Sequence, residues 1–254
     1  MSVLFEIQNY SPPHRGSQRG FIAITQTSSK SFLFYTMQEN FLLIDKEATW
    51  TSNDVVAFLR GRFKKKTKIK NLKVGHAGTL DPFATGLLIV GIGKEATRRL
   101  DEFKNLDKTY ESTIKLGEIS DTQDPEGKIE STDFTDEITL EKVQTVLQKF
   151  LGKQQQIPPM HSAKKIQGQR LYELARQGIE IERQANDIEI YEIKLIEYEY
   201  PKLKIEVKCS TGTYIRQLAQ DIGESLSCGA YCLELRRTQI GEYQVENAKK
   251  VKEV

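Results

Sequence analysis

Residues 75–86 read Gly-His-Ala-Gly-Thr-Leu-Asp-Pro-Phe-Ala-Thr-Gly and are followed directly by the apolar run Leu87-Leu88-Ile89-Val90. The run predicts a buried strand, and the glycines together with Pro82 predict a tightly constrained loop before it. Asp81 is therefore a carboxylate on a loop that a rigid element anchors, which is where catalytic groups are often found. An aspartate that only initiates a turn would fit the same spacing.

The composition is that of a globular chain of 254 residues with a net charge of +2. Its length suits one domain, or one domain with a sub-domain. No run of about 18 apolar residues occurs, so the sequence predicts no membrane-spanning helix. The three cysteines form no CxxC pair and only three histidines accompany them. We therefore expect neither a disulfide framework nor a metal site, and a reducing, cytoplasmic location.

The positive charges are unevenly distributed along the chain. Residues 60–73 contain eight basic residues and no acidic one, and they lead directly into the Asp81 loop. Such a run is often only a solvated face. Its position beside a candidate active site favours contacts with phosphate groups instead.

The first 36 residues differ from the rest of the chain. They are rich in serine and threonine, contain a single acidic residue and include Pro12-Pro13. We expect residues 1–36 to be a disordered or mis-started N-terminal extension, with a transit peptide as the alternative. A folded domain is expected over residues 37–254.

The order of the predicted elements is mixed. Strands are predicted at residues 41–44, 87–92, 110–116, 188–198, 203–209 and 232–237. Helices are predicted after a cap at Ser52, over residues 95–103, after a cap at Thr139 and over residues 214–226. Strands and helices neither alternate regularly nor segregate, which favours an α+β fold with a mixed, mostly antiparallel central sheet flanked by helices and loops.

Further motifs occur in a fixed order along the chain. Besides residues 75–86 they are Lys108-Thr109-Tyr110, the turn from Gly117 to Gly127, Ile157-Pro158-Pro159-Met160-His161-Ser162-Ala163-Lys164-Lys165, Cys209-Ser210-Thr211-Gly212-Thr213-Tyr214-Ile215-Arg216 and Leu235-Arg236-Arg237. Together they resemble the TruB-type tRNA pseudouridine synthases over residues 41 to about 245. The resemblance implies the pseudouridine synthase fold and the isomerisation of the T-loop uridine of tRNA, position 55, to pseudouridine. Because no redox change or group transfer occurs in that reaction, no cofactor is implied.

The resemblance also implies three catalytic residues. Asp81 matches the catalytic aspartate of the family, whether it attacks the ribose, adds to the base or abstracts a sugar proton. Arg216 matches the cation that pairs with it. Tyr110 matches the tyrosine that lies against the target base, although an aromatic residue in an alternating strand would otherwise be read as core.

The remaining matches imply contacts with the substrate. His76 matches the histidine that fills the space left by the flipped nucleotide, and Leu235 matches an apolar residue of the uracil pocket. Further substrate contacts are expected from Lys46, Tyr214 and Asp124, the last in a supporting role. A thumb-like RNA-binding insertion is expected at about residues 152–180, with Lys164 and Lys165 among its cations.

Two departures from the family pattern bear on this interpretation. The family usually has Lys-Pro-x-Gly where this chain has Lys46-Glu47-Ala48-Thr49. The sequence also leaves no room for a C-terminal PUA domain after Gly241, so weaker and more salt-sensitive binding of the tRNA T arm is expected. We expect a monomer with no obligate protein partner.

Two other functions were weighed against the synthase. A non-catalytic RNA chaperone on the same fold would not need Asp81, Tyr110 and Arg216, and all three are present. A nucleotide-hydrolysing enzyme is suggested by Gly91-Ile92-Gly93-Lys94, but Glu95 stands where a P-loop requires serine or threonine. A synthase with a different RNA target stays open.

Overall fold

The computed structural model describes residues 40–254 apart from residues 163 and 167, and of residues 165 and 170 it describes the backbone alone. The expected N-terminal extension, residues 1–36, lies outside the described residues.

The described residues form fourteen strands and six α-helices. The strands are β1 (Phe41–Lys46), β2 (Val74–Ala77), β3 (Thr85–Ile92), β4 (Lys108–Leu116), β5 (Glu118–Ser120), β6 (Ile129–Ser131), β7 (Gly152–Gln156), β8 (Lys165–Ile166), β9 (Gln169–Arg170), β10 (Asn186–Glu199), β11 (Lys202–Cys209), β12 (Ala230–Ile240), β13 (Tyr243–Gln244) and β14 (Lys249–Lys250). The helices are α1 (Ser52–Thr67), α2 (Lys94–Arg98), α3 (Asp101–Lys104), α4 (Leu140–Gln148), α5 (Leu171–Ala175) and α6 (Ile215–Ser225).

Ten of these strands form one sheet. Its order is β14-β1-β3-β12-β4-β11-β10-β7, with β2 paired to β3 and β13 paired to β12. The pairs β1–β14 and β12–β3 are parallel, and the other pairs are antiparallel. The fold is therefore α+β with a mixed, mostly antiparallel central sheet, which confirms the prediction.

Alternation along the central strands explains which side of the sheet is covered. In β11 the residues Leu203, Ile205, Val207 and Cys209 are buried, while the intervening charged residues are exposed or half-buried. The buried side packs against α4 and α6 in the larger apolar core. Because a strand presents alternate residues to opposite faces, this pattern leaves one polar face and one core face, and the core face leads to Asp81.

Two helix predictions were wrong in detail. The cap of α1 is Thr51, whose side chain accepts a hydrogen bond from the Asp54 amide, rather than Ser52, which is buried in the first turn. The helix predicted over residues 95–103 is broken into α2 and α3. The break places Leu100 in the space beside Gly75 and Gly91, where any larger side chain would collide with it.

Candidate active site

The loop between β2 and β3 is held by hydrogen bonds on both sides of Asp81. The Ser52 hydroxyl accepts a hydrogen bond from the Leu80 amide at 2.9 Å and donates one to the Leu80 carbonyl at 3.2 Å. The Pro82 carbonyl accepts from Lys46 Nζ at 3.2 Å and from the Thr49 amide at 2.9 Å. The loop is thus attached to the start of α1 and to the end of β1, which fixes the carboxylate of Asp81 in place.

Lys46 bonds to the loop and is not among the lining residues of the two cavities described below. Its side chain is fully buried, and its ammonium donates to the carbonyls of Glu47, Trp50 and Pro82. Burial lowers the pKa of Lys46 to about 8. The structure therefore shows Lys46 bound to the loop, and its contact with substrate stays a prediction.

Where the family usually has glycine, this chain has Thr49 in a left-handed conformation. Its φ is 71°, a region that β-branched residues rarely adopt. The Thr49 amide nevertheless reaches the Pro82 carbonyl. The segment that contains Thr49 is thus attached to the Asp81 loop despite the departure from the family pattern.

Arg216 joins the carboxylate of Asp81 to a second one. It lies in the first turn of α6, is 3% exposed, and its Nε is 2.9 Å from Asp81 Oδ2. Its Nη1 is 3.1 Å from Asp124 Oδ2 and also donates to the Thr122 carbonyl, while Nη2 donates to the His161 carbonyl. One guanidinium thus orients Asp81, the 121–127 turn and the 157–162 segment together.

Asp124 has a more central position than its predicted supporting role suggested. Its side chain is 6% exposed and accepts from the Thr122 hydroxyl at 2.6 Å and the Glu126 amide at 3.0 Å. Sequence reasoning missed Glu126 next to it. Burial, followed by the charges of Asp124 and Asp81, raises the pKa of Glu126.

Two cavities meet at Asp81 and Arg216. The outer cleft has a volume of about 590 Å³ and includes His76, Asp124, Glu126, His161, Tyr172 and Arg176 in its wall. The inner cavity has a volume of about 350 Å³ and includes Tyr110, Tyr214, Leu235, Lys108, Lys164 and Arg237. The Asp81 side chain is 33% exposed, so a molecule in either cavity can reach its carboxylate.

The inner cavity brings together the residues expected around a flipped base. Tyr110 and Leu235 are both less than 10% exposed and lie on neighbouring strands, β4 and β12. Burial raises the pKa of Tyr110, so its phenol is neutral at neutral pH. Arg237 belongs to the Leu235-Arg236-Arg237 motif, in which the resemblance assigns no role to this residue; it lies fully buried beside Tyr110 and donates to the carbonyls of Leu87 and Gly78.

His76 lies in β2, just before the Asp81 loop, is half-buried and lines the outer cleft. Burial lowers its pKa to about 4, and the positive charges of Arg237 and Lys104 add to the effect. The imidazole is therefore neutral at neutral pH and offers an uncharged ring to the cleft.

Of the two lysines expected in the insertion, the structure describes the side chain of one. Lys164 is half-buried, lines the inner cavity and donates to Asn186 Oδ1 at 2.5 Å. The side chain of Lys165 lies outside what the structure describes. Tyr214 lines the inner cavity, and its backbone amide and carbonyl both bond to the Gln156 side chain.

The basic run is solvent-exposed. Its eight cations lie on the second half of α1 and on the segment that leads to β2. The one side-chain hydrogen bond recorded for them within residues 40–254 joins Arg62 to the Lys252 carbonyl. The side chains are thus available to a ligand on that surface.

Metal-binding clusters and membrane-spanning helices are both absent from the described residues. No group of three or more His, Cys, Asp or Glu side chains between residues 40 and 254 lies in an arrangement that could hold a metal ion. Among the helices that the structure describes, none has the length and apolar character needed to cross a membrane.

Family models match most of the described chain. Residues 64–215 match the N-terminal domain of the TruB family pseudouridylate synthases, and residues 216–254 match the C-terminal domain of tRNA pseudouridylate synthase B. The second match covers α6, β12 and the strands after them, which belong to the same sheet or pack on it.

Curated relatives agree with this match. The chain is 49% identical over 205 residues to the tRNA pseudouridine synthase B of Parabacteroides distasonis, which covers 81% of this chain and 87% of the relative. It is 47% identical over 207 residues to the tRNA pseudouridine synthase B of Dechloromonas aromatica, covering 82% of this chain and 67% of the relative.

Solved structures share the fold. A Cbf5-Nop10-Gar1 complex matches with a TM-score of 0.60 and 29% identity over 80% of this chain and 49% of the matched chain. An H/ACA RNP bound to a substrate RNA containing 2'-deoxyuridine matches with a TM-score of 0.58 and 25% identity, over 84% of this chain and 51% of the other. The chain thus spans about half the length of these two.

The fold is that of the pseudouridylate synthases, as the family matches and the solved structures agree. Within that class, the chain belongs to the TruB family.

Proposed function

We propose that this chain isomerises the T-loop uridine of tRNA, position 55, to pseudouridine, with Asp81 as the catalytic residue. The observation that carries the proposal is the position of Asp81 where the two cavities meet, with its carboxylate held by Arg216 at 2.9 Å. The names of the curated relatives support tRNA as the substrate.

The reaction asks little of the protein beyond one carboxylate and good positioning. The bond from N1 to the sugar carbon breaks, the uracil rotates, and C5 bonds to the same carbon while its proton moves to N1. No atom leaves, so no co-reactant is needed. Asp81 acts at the sugar or at the base, and the buried guanidinium of Arg216 compensates its charge throughout.

The inner cavity supplies the walls for the rotating base. Tyr110 and Leu235 form an apolar surface on adjacent strands, and stacking of a base on an aromatic side chain is worth about 1–3 kcal/mol. That gain offsets part of the few kcal/mol that extrusion of a nucleotide costs. The neutral ring of His76 fits a role in filling the space that the uridine leaves.

The rest of the tRNA T arm is proposed to lie on cationic surfaces. The first turn of α1, the helix whose second half carries part of the basic run, lines the outer cleft, as do Tyr172 and Arg176 of the proposed thumb-like insertion at about residues 152–180. We propose residues 37–254 as one catalytic domain. Action as a monomer, without cofactor or obligate protein partner, stays a prediction.

The proposal is tested by mapping pseudouridines in an unmodified tRNA transcript after incubation with the full chain and no added cofactor. The expected result is one new pseudouridine, at the T-loop uridine. Modification only at other uridines would overturn the proposed target. Tight binding of the transcript with no modification would favour the RNA chaperone.

A further inference from the structure

The inner cavity contains more positive charge than its own carboxylate can neutralise. Five cations line it, namely Lys104, Lys108, Lys164, Arg216 and Arg237, and Asp81 is the one acidic residue among its described lining. Arg216 is paired with Asp81 and Asp124, and Lys104 is paired with Asp101. Three cations are left without a carboxylate.

These three cations bond only to neutral groups in the described part of the chain. Lys108 is 6% exposed and its ammonium donates to the carbonyls of Lys104 and Leu106. Lys164 donates to the amide oxygen of Asn186, and Arg237, at 1% exposure, donates to two carbonyls. Burying a charge without an opposite charge is costly, and such an arrangement suits a site that an anion completes.

The adjoining loop offers further donors to an anion. The amides of Thr211, Gly212 and Thr213 make no hydrogen bond within residues 40–254 as the structure describes them. Gly212 lines the cavity, is exposed, and a Cβ there would meet no atom within 4 Å, so its backbone is accessible to a ligand. This loop leads into the first turn of α6, an 11-residue helix with no side-chain cap and no acidic residue in its first turn. Helix starts of this kind attract negative groups.

The arrangement of the cavity indicates which anion belongs there. Its apolar wall, Tyr110 and Leu235, faces the same space as its cationic wall. A ligand that satisfies both has a flat, uncharged ring joined through a sugar to a phosphate, which describes a nucleotide within an RNA chain. Lys164 and the 211–213 amides, both at the edge of the cavity, are the donors most accessible to the phosphate.

We infer that the inner cavity holds one of the two phosphodiesters that flank the extruded uridine, bound by Lys164, Lys108 and the amides of residues 211–213. The inference rests on the proposed function and names the part of the RNA that this wall binds. It adds a phosphate contact inside the reaction cavity to the contacts expected on the outer basic run.

The inference is tested with T-arm RNAs in which a single phosphate beside the target uridine is replaced by a neutral methylphosphonate, either 5' or 3'. The full chain must first form pseudouridine in the unmodified RNA; if it does not, the proposed function itself fails. One of the two neutral linkages is expected to lower kcat/KM at least about tenfold, which corresponds to about 1.4 kcal/mol. A methylphosphonate two nucleotides away serves as the control RNA.

The protein side is tested with Lys164→Met. It should lower kcat/KM on the unmodified RNA by a similar factor, and the neutral linkage should then cause no further loss, because both changes remove the same contact. Lys164→Arg should recover most of the activity. Lys202→Met is the matched control, since Lys202 is exposed and lies at the end of β11 opposite to the end that pairs with Lys108.

Two results would overturn the inference. In the first, both neutral linkages leave kcat/KM of the full chain within about threefold of the unmodified RNA, a measurement that requires no variant to fold. In the second, the losses from Lys164→Met and from the neutral linkage multiply, which would mean that the side chain acts elsewhere.

Discussion

The two buried arginines of the site differ in their partners. Arg216 touches two carboxylates, Asp81 and Asp124, whereas the partners of Arg237 in the described part of the chain are neutral, namely two carbonyls and the phenol of Tyr110. The Arg216 region is electrostatically complete in the free protein, and the Arg237 region has positive charge to spare. The comparison teaches that Asp81 is held in place in the free protein, while the neighbouring wall carries cations without carboxylate partners, as the inferred phosphate contact requires.

Removing the charge at Arg216 takes away the partner of Asp81 and Asp124 and has the largest expected effect on stability. Arg216→Met leaves Asp124 buried and unpaired, and loss of one partner of a buried pair costs about 3–5 kcal/mol. Urea unfolding followed by circular dichroism measures this loss. Lys128→Met, which removes an exposed ion pair with Glu130, should leave the unfolding midpoint unchanged. A similar midpoint for both variants would mean that Arg216 does not hold the site together.

Burial, with a further contribution from the positive charge of Arg237, should make the stability of the fold depend on the titration of His76. Its folded pKa is about 4, below the ordinary 6.5. As the pH falls from 6.5 to 4, the unfolded chain takes up a proton that the folded chain refuses, so stability is lost in that window. Between pH 7.5 and pH 5 the loss from this residue is about 1–2 kcal/mol. His76→Gln should reduce the pH dependence of unfolding by that amount; an unchanged pH dependence would show that His76 titrates normally.

The exposed basic run provides a contrast with the buried cations. Replacing Lys64, Lys65 and Lys66 by Gln should reduce the slope of log K against log salt for tRNA binding by about 2, because each single-strand phosphate contact contributes about 0.7. Filter binding over a range of salt concentrations gives the slope, with Lys202→Gln as the control. An unchanged slope would identify the run as a solvated face.

The smallest effect on stability is expected at Thr49, whose amide bonds to the Pro82 carbonyl next to Asp81. Thr49 is exposed and has a φ of 71°, so Thr49→Gly removes strain that outweighs the added flexibility of glycine. A gain of about 0.5–1 kcal/mol in the free energy of unfolding is expected. Ala48→Gly next to it should instead destabilise the chain. Loss of stability in Thr49→Gly would show that this conformation is not strained.

The sequence predicted the fold well where periodicity and burial agree. The alternation of residues 203–209 and the apolar run after the Asp81 loop both became central strands. β7, with the sequence Gly-Lys-Gln-Gln-Gln, was missed because it is polar and lies at the edge of the sheet, where no apolar pattern is required. The break between α2 and α3 depends on packing of Leu100 against distant glycines, which no local pattern reveals.

The candidate site was predicted unevenly for a similar reason. The Asp81–Arg216 pair was expected from the motifs, and the structure places these side chains in contact. The sequence does not reveal that Lys46 is buried against carbonyls, or that Arg237 and Glu126 line the cavities. These positions depend on how strands far apart in the sequence come together in the fold. Residue type and spacing identify which groups can react, whereas burial and partners decide which of them only support the others.

The central claim, that the carboxylate of Asp81 performs the reaction, is tested most directly with Asp81→Asn. Pseudouridine formation in an unmodified tRNA transcript and tRNA affinity are measured side by side for this variant and the unaltered chain. The account predicts a loss of at least about a thousandfold in rate, or about 4 kcal/mol, with affinity within about threefold. A rate within about tenfold of the unaltered chain would contradict it.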